Sequence, residues 1–370
     1  MCLDARVTER SGHIPVLLDE VLALLEPGGR DVVLDCTAGL GGHAGALAAR
    51  LGPGGVVVVN DADAANAASA ASRVRAEAPA GVEVHEVVGN FVAAPRVLGG
   101  MGLRASVVLA DLGFASNQMA DPERGLSFQA DGPLDMRYGR SEKREARSGK
   151  PDREVGEAGR DDRARGGMAG AAELVNGLPE AELAGLLREL GEERRAGAIA
   201  RKIVAARESE PIETTGRLAA LVVEAIGPRG GGPRVHPATR TFQALRIAVN
   251  DELGSLGLLL ESVERGAALA GTGGAGTGAG SVGGSGGGSG GGIRGGWLAA
   301  GARVGVISFH SLEDRLVKRG FGELVRRGLA AHRTRRPAEA SASEASANPR
   351  SRSAKLRVVR LVGGEGGGGR

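Results

Sequence analysis

Cysteine is nearly absent: Cys2 and Cys36 are the two in 370 residues, with no CxxC and no paired spacing. That excludes a disulfide framework and a structural zinc site, and fits a reducing compartment. The start, MCLDARVTER, has no apolar stretch of signal-peptide length, and no later window is apolar for the length of a membrane span. The expectation is a cytoplasmic protein. Lysine is also scarce, 5 of 47 basic residues, in a chain crowded with Ala and Gly. This pattern reads as coding bias, so arginine richness alone is weak evidence for a nucleic-acid partner. Net charge is only +3, but residues 318–370 carry 13 Lys or Arg against 4 Asp or Glu. Such an end either faces a polyanion or is a solvated tail.

The chain has length for roughly two domains, one of which can be inserted in the other. Between residues 31 and 113, short apolar runs at 32–34, 56–59, 82–88 and 107–110 alternate with Ala-rich stretches of helical length. This alternation predicts an α/β fold with parallel strands covered by helices. Residues 140–167 turn to mixed charge and Gly with almost no large apolar side chain, which reads as a disordered insertion. Apolar residues at three- and four-residue steps over 179–190, 194–206 and 215–226 predict a small all-helical insert. Phe242, Leu245, Val249, Leu253, Leu256, Leu260 and Val263 continue that spacing, which predicts one long helix returning the chain to the sheet. Residues 271–296 are nearly all small and read as a flexible loop. RVGVISF at 303–309 and LRVVRL at 356–361 read as the remaining strands. The expected division is therefore 1–113 with 237–370 as one domain and 114–236 as the insert.

A nucleotide pocket is suggested by VVLDCTAGLGGHAG, a strand running straight into a turn with Gly39, Gly41 and Gly42 before an Ala-rich segment. Small residues there let backbone approach a ligand closely. Gly39-x-Gly41-x-x-Ala44 nearly matches a dinucleotide fingerprint, and Asp61 closes the next strand, where a carboxylate can accept both ribose hydroxyls. The turn alone does not separate a nicotinamide cofactor from S-adenosylmethionine. Phe91 follows the third strand, placed either to stack on adenine or to join the core. Asp111 closes the fourth apolar run in VVLADLGF, and a carboxylate in that position is rarely there for packing.

Taken together, HIPVLLDE (13–20), DCTAGLGGH (35–43), DLGFASNQ (111–118), ERGLSFQADGPLDMR (123–137), HPATRTFQALRIAVNDEL (236–253), ISFHSLEDRLVK (307–318) and NPRSRSAKLR (348–357) resemble the bacterial small-subunit (16S) ribosomal RNA cytosine-N4 methyltransferases. The resemblance implies a Rossmann-like class I methyltransferase sheet with a helical insert, and S-adenosyl-L-methionine as methyl donor. It implies cofactor contacts from Gly41, Gly42, His43, Asp61, Phe91, Asp111 and Gln118. It further implies a target cytidine in the decoding region of 16S ribosomal RNA, within the small ribosomal subunit. Where the family reads DLGVSSPQLD, Ala115, Asn117 and Ala120 replace a Ser, a Pro and an Asp, and Asn60 before Asp61 is also atypical.

The implied chemistry is in-line attack of an exocyclic amine on a sulfonium methyl, which mainly requires alignment. Acceptors must hold the amine while its conjugation with the ring weakens, and Asp111 with the backbone carbonyls after it is the candidate catalytic group. His310, Glu313 and Asp314 do not form a recognised metal-ligand set, and are expected to shape the acceptor side of the pocket. His236 stands before a helix, where it either caps or packs or else contacts RNA. Arg350, Arg352, Lys355 and Arg357 fall within eight residues, and are expected to meet phosphates unless they flank a strand. Three competing classes share parts of this pattern: a DNA or other RNA amino-methyltransferase, a nicotinamide dehydrogenase, and a non-catalytic assembly factor.

Overall fold

A computed structural model describes residues 14–139, 169–227, 236–272 and 296–363. The proposed charged insertion and nearly all of the proposed Gly-rich loop lie outside the described residues. Contacts divide the chain into two units, one of residues 1–113 and 253–370 and the other Phe114–Glu252.

The first unit runs α1 (Leu18–Leu25), β1 (Val32–Asp35), α2 (Gly42–Ala48), β2 (Val56–Asp61), α3 (Ala64–Glu77), β3 (Glu83–Val88), α4 (Ala94–Gly100) and β4 (Ala105–Asp111). The second contributes α5 (Ser116–Ala120), α6 (Ala171–Gly177), α7 (Glu180–Gly191), α8 (Ala196–Arg207), α9 (Thr215–Ile226) and α10 (Thr239–Asn250). The chain then completes the first unit with α11 (Glu252–Thr272), β5 (Leu298–Ser308), α12 (Ser311–Arg326), β6 (Ala330–His332), β7 (Ala338–Glu339), α13 (Ala342–Ala347) and β8 (Lys355–Leu361).

The strands form one sheet in the order β3-β2-β1-β4-β5-β8-β6, with β7 beside β8. Strands β3, β2, β1, β4 and β5 are parallel, and β8 returns antiparallel to β5. β1 and β2 are apolar on both faces because both faces are covered. Val33, Val57, Val107 and Leu109 enter one core with Leu17, Leu25, Leu47 and Val74. Their neighbours Leu34, Val58, Val108 and Ala110 enter the other with Leu98, Leu256, Val263 and Phe321. This two-residue alternation fixes the register, since a one-residue slip exchanges the faces. Among the described residues β3 has only β2 as a neighbour, and it alternates in exposure and so reads EVHEVV rather than a solid apolar run.

In the helical unit, Leu183, Leu187, Ile199, Ile203, Leu218, Val222, Phe242, Leu245 and Val249 share a single core. The expected long helix is two helices. Asp251 adopts φ 46°, and its N–H caps the Ile247 carbonyl, which ends α10. The apolar spacing passes through this break without interruption. Phe242, Leu245 and Val249 pack in the helical core, whereas Leu256, Leu260 and Val263 pack under the sheet. Contacts therefore return the chain to the sheet unit at residue 253 rather than 237. Among the described residues, no helix is long and apolar enough to cross a membrane.

Candidate active site

The strand order reverses between β1 and β4, since β2 lies on one side of β1 and β4 on the other. In open α/β sheets this switch point leaves a crevice at the C-terminal strand ends. The turn after β1 is bound to both neighbours: the Cys36 N–H donates to Leu109 O at 2.8 Å, and the Ala38 N–H to Asn60 O at 2.9 Å. The Asp111 N–H donates to Thr37 Oγ1 at 2.7 Å. Asn60 explains its own presence, because its Nδ2 donates to the carbonyls of Cys36 (2.9 Å) and Gly89 (3.1 Å) and ties three strand ends together.

Gly41 is the N-cap of α2 at φ 78°, and a Cβ there would stand 2.8 Å from Ala70 Cα in α3. A Cβ on Gly42 would stand 2.6 Å from Pro15 Cγ. Both glycines are required by backbone conformation or close packing, and they keep the first turn of α2 bare.

Asp61 closes β2. Its Oδ2 accepts from the Gly39 N–H and its Oδ1 from the Asp63 N–H, both at 2.8 Å. The carboxylate thus holds the Gly-rich turn against β2, and each oxygen keeps lone-pair capacity for a further donor. Burial pushes its pKa above the ordinary range while the two backbone N–H groups pull it down. Phe91 opens a short 3-10 turn and packs half-buried against the core beneath the sheet, behind an Asn90 whose side chain caps Val92 N and donates to Ser255 Oγ.

Asp111 closes β4. Its Oδ1 is buried without a hydrogen-bond partner among the described residues, and its Oδ2 lies 3.5 Å from His43 Nδ1. Burial pushes its pKa up to about 7, against the opposing charge of Arg350 and with that of Glu313. The His43 side chain is itself buried, with Nε2 2.8 Å from Val16 O. Sequence reasoning missed Asp35, which is buried at the end of β1 and also pushed up to about 7, chiefly by burial. The signal was available, since VVLD ends an apolar run on a carboxylate just as VVLAD does.

The structure therefore brings Gly41, Gly42, His43, Asp61 and Asp111 to adjacent strand ends of the sheet unit, with Phe91 after the third strand. Gln118 lies in the helical unit, where its Oε1 accepts from Ala115 N (2.8 Å) and its Nε2 donates to Tyr138 O (3.3 Å).

Other expectations change. His310 and Glu313 form a reciprocal cap at the start of α12: Glu313 Oε2 accepts from Phe309 N at 2.8 Å, and His310 Nδ1 accepts from Glu313 N at 3.4 Å. Their spacing is that of a helix start. Asp314 holds Arg357 through two bonds of 2.7 and 3.1 Å, so Arg357 is not a free phosphate contact. Arg350 is half-buried toward Asp111, and Arg352 remains exposed with its Nε on Ala345 O. His236 accepts from Ala238 N in the turn before α10 and lies 4.6 Å from the Phe128 ring, so it packs there, while the N-cap itself is Ala238. In the same string, Arg246 pairs with Glu252 at 2.7 and 3.0 Å and stands over the Phe114 ring, and Asn250 holds the Met136 and Tyr138 backbone.

The MraW methylase family matches residues 10–148, 163–272 and 294–362. A relative in Methylobacterium sp. (strain 4-46), named ribosomal RNA small subunit methyltransferase H, is 39% identical over 364 residues, covering 94% of this chain and 90% of its own. Proteins of the same name in Symbiobacterium thermophilum (39%; 95% and 98% covered) and Thermomicrobium roseum (40%; 96% and 95% covered) match at similar length. The match extends through both units and both ends of the described sheet, and the chain belongs to the MraW methylase family.

Proposed function

We propose that this chain methylates small-subunit ribosomal RNA at the N4 amine of one cytidine in the decoding region, with S-adenosyl-L-methionine as donor. Family membership and the names of the full-length relatives support the RNA substrate class. The observation that carries the chemistry is the pair of carboxylates, Asp61 and Asp111, at the ends of β2 and β4 on either side of the Gly39–Gly41 turn. A purely structural turn does not need an Asp111 oxygen buried without a partner.

The residues present fit the donor. Asp61 offers lone pairs to ribose hydroxyls, Phe91 a ring to stack on adenine, and the bare turn at Gly41 and Gly42 close backbone approach. The donor, when bound, supplies a methyl group on an electrophilic sulfonium. The protein's own part is alignment and proton acceptance: Asp111 near neutrality can receive an N–H of the exocyclic amine as the lone pair leaves conjugation with the ring. Cytosine in an RNA helix hides that amine, so the target is splayed out. We assign 1–113 with 253–370 to the methyltransferase domain, the helical unit to an insert, and the protein to the cytoplasm.

Calorimetry tests the donor site. S-adenosylmethionine binds and a nicotinamide dinucleotide does not, and Asp61→Ala weakens donor binding by about 2–4 kcal/mol as a charged acceptor is lost from a dry crevice. Unchanged affinity removes Asp61 from the site, and nicotinamide binding favours the dehydrogenase reading.

A further inference from the structure

His43 presents its two ring nitrogens to different chemistry. Val16 O is a carbonyl and can only accept, so the nitrogen 2.8 Å from it, Nε2, carries a hydrogen. In the neutral ring Nδ1 then bears a lone pair, and it faces Asp111 Oδ2 at 3.5 Å with both side chains largely withdrawn from water. Two lone pairs facing each other at that distance repel, and in a buried site water does not screen them. A single proton between the atoms removes the conflict. Burial favours the arrangement without separated charges, a carboxylic acid donating to the imine nitrogen, over a carboxylate beside an imidazolium.

We infer that His43 and Asp111 share one proton between Nδ1 and Oδ2, and that His43 is thereby a positioning residue that fixes the orientation and protonation of the Asp111 carboxyl. The His43 side chain thus works on Asp111 rather than on the donor. A proton arriving on Asp111 is matched by movement of the shared proton onto Nδ1, so the pair gains one proton without leaving two on the same carboxyl. Asp35, buried on β1, faces the same ring and in its ionised form favours the resulting imidazolium.

The surrounding charges are consistent with a finely balanced pair. Burial lowers the pKa of His43 against the opposing charges of Asp35 on β1 and Glu344 on α13 and its hydrogen bond to Val16 O, and Asp111 on β4 lies 3.5 Å from Nδ1. Asp111 is faced by Arg350 after α13 and Glu313 on α12. Asp35 is faced by His43, Asp111 and Asp61. The Val16 carbonyl that meets Nε2 lies in a segment pinned by Leu17 N on Glu344 (2.7 Å) and by Asn348 Nδ2 on Ile14 O (3.0 Å).

The catalytic meaning of the pair rests on the reading of Asp111 given above, but the pair is tested in the full chain without donor or RNA. The measurement is 15N imidazole and 13C carboxyl NMR from roughly pH 5 to 9, with His43 assigned by its loss in His43→Gln. The expected result is an Nε2 that stays protonated throughout, and an Nδ1 signal that moves with the Asp111 carboxyl at one common midpoint. Asp111→Asn abolishes the Nδ1 movement and Asp35→Asn preserves it. An Nδ1 that ignores pH while the carboxyl titrates, or a movement that survives Asp111→Asn, overturns the inference. So does one that vanishes only in Asp35→Asn. Should Asp111→Asn fail to fold, co-titration in the unaltered chain decides alone. A positive result with no methyl transfer to RNA would sink the functional reading and leave the pair standing.

Discussion

Asp35 and Asp111 each end an apolar strand, and each carries a carboxyl that burial pushes from an ordinary 3.8 up to about 7. Such groups hold a proton in the folded chain that the unfolded chain releases between about pH 4 and pH 7. The native state binds more protons there, so their contribution makes stability fall as pH rises across that window. His43 opposes them, since its pKa is lowered below 6.5 on folding and its contribution grows as pH rises toward that value and is complete above it. Replacing Asp35 by Asn keeps an oxygen for the Thr37 N–H and removes one falling term. Thermal melts of Asp35→Asn should therefore lose less stability between pH 5 and pH 8 than the unaltered chain, and should lie above it at pH 8. Equal slopes would mean that Asp35 is ionised at an ordinary pKa. At this scale the sequence showed Asp61 and Asp111 because a carboxylate at the end of an apolar run is conspicuous. It did not show that the His43 ring turns inward or that Arg350 approaches Asp111, because both depend on contacts between residues far apart in the chain.

Elements were legible where their period was unambiguous. The four apolar runs before residue 113 became β1 to β4, and the helices near 179–190, 194–206 and 215–226 became α7, α8 and α9. The break between α10 and α11 was not legible, since an apolar residue every three or four positions continues through Asp251 although the two halves serve different cores. The short strands β6 and β7 carry too few residues to show a period. The Gly-rich turn makes a prediction at this scale. Alanine at Gly41 meets both a left-handed backbone at φ 78° and an Ala70 Cα at 2.8 Å, and neither is the movable end of a side chain. Gly41→Ala should cost about 2–5 kcal/mol in denaturant unfolding, adding about 1–2 kcal/mol of backbone strain to overpacking of about 1–3 kcal/mol. A loss below about 1 kcal/mol would show that α2 and α3 separate easily, and that Gly41 serves the ligand rather than the packing.

For the whole molecule, the basic excess of the C-terminal region is partly absorbed by the fold: Arg357 pairs with Asp314 and Arg333 with Glu26. Arg352 is exposed, so Arg352→Gln should make the log–log salt slope of RNA binding shallower by about 0.7–0.9 if it meets one phosphate, with melting temperature unmoved. An unchanged slope would leave the RNA path to be sought on other surfaces. The central claim is that the crevice at β1 and β4 transfers methyl to a cytidine amine of small-subunit ribosomal RNA through Asp111. Mass spectrometry of that RNA after single-turnover reaction with S-adenosylmethionine tests it most directly. The account predicts one N4-methylated cytidine in the decoding region, formed about 10²–10⁴ times more slowly by Asp111→Asn, with donor affinity reduced far less. A methyl group on another atom, or undiminished transfer by Asp111→Asn, would contradict it.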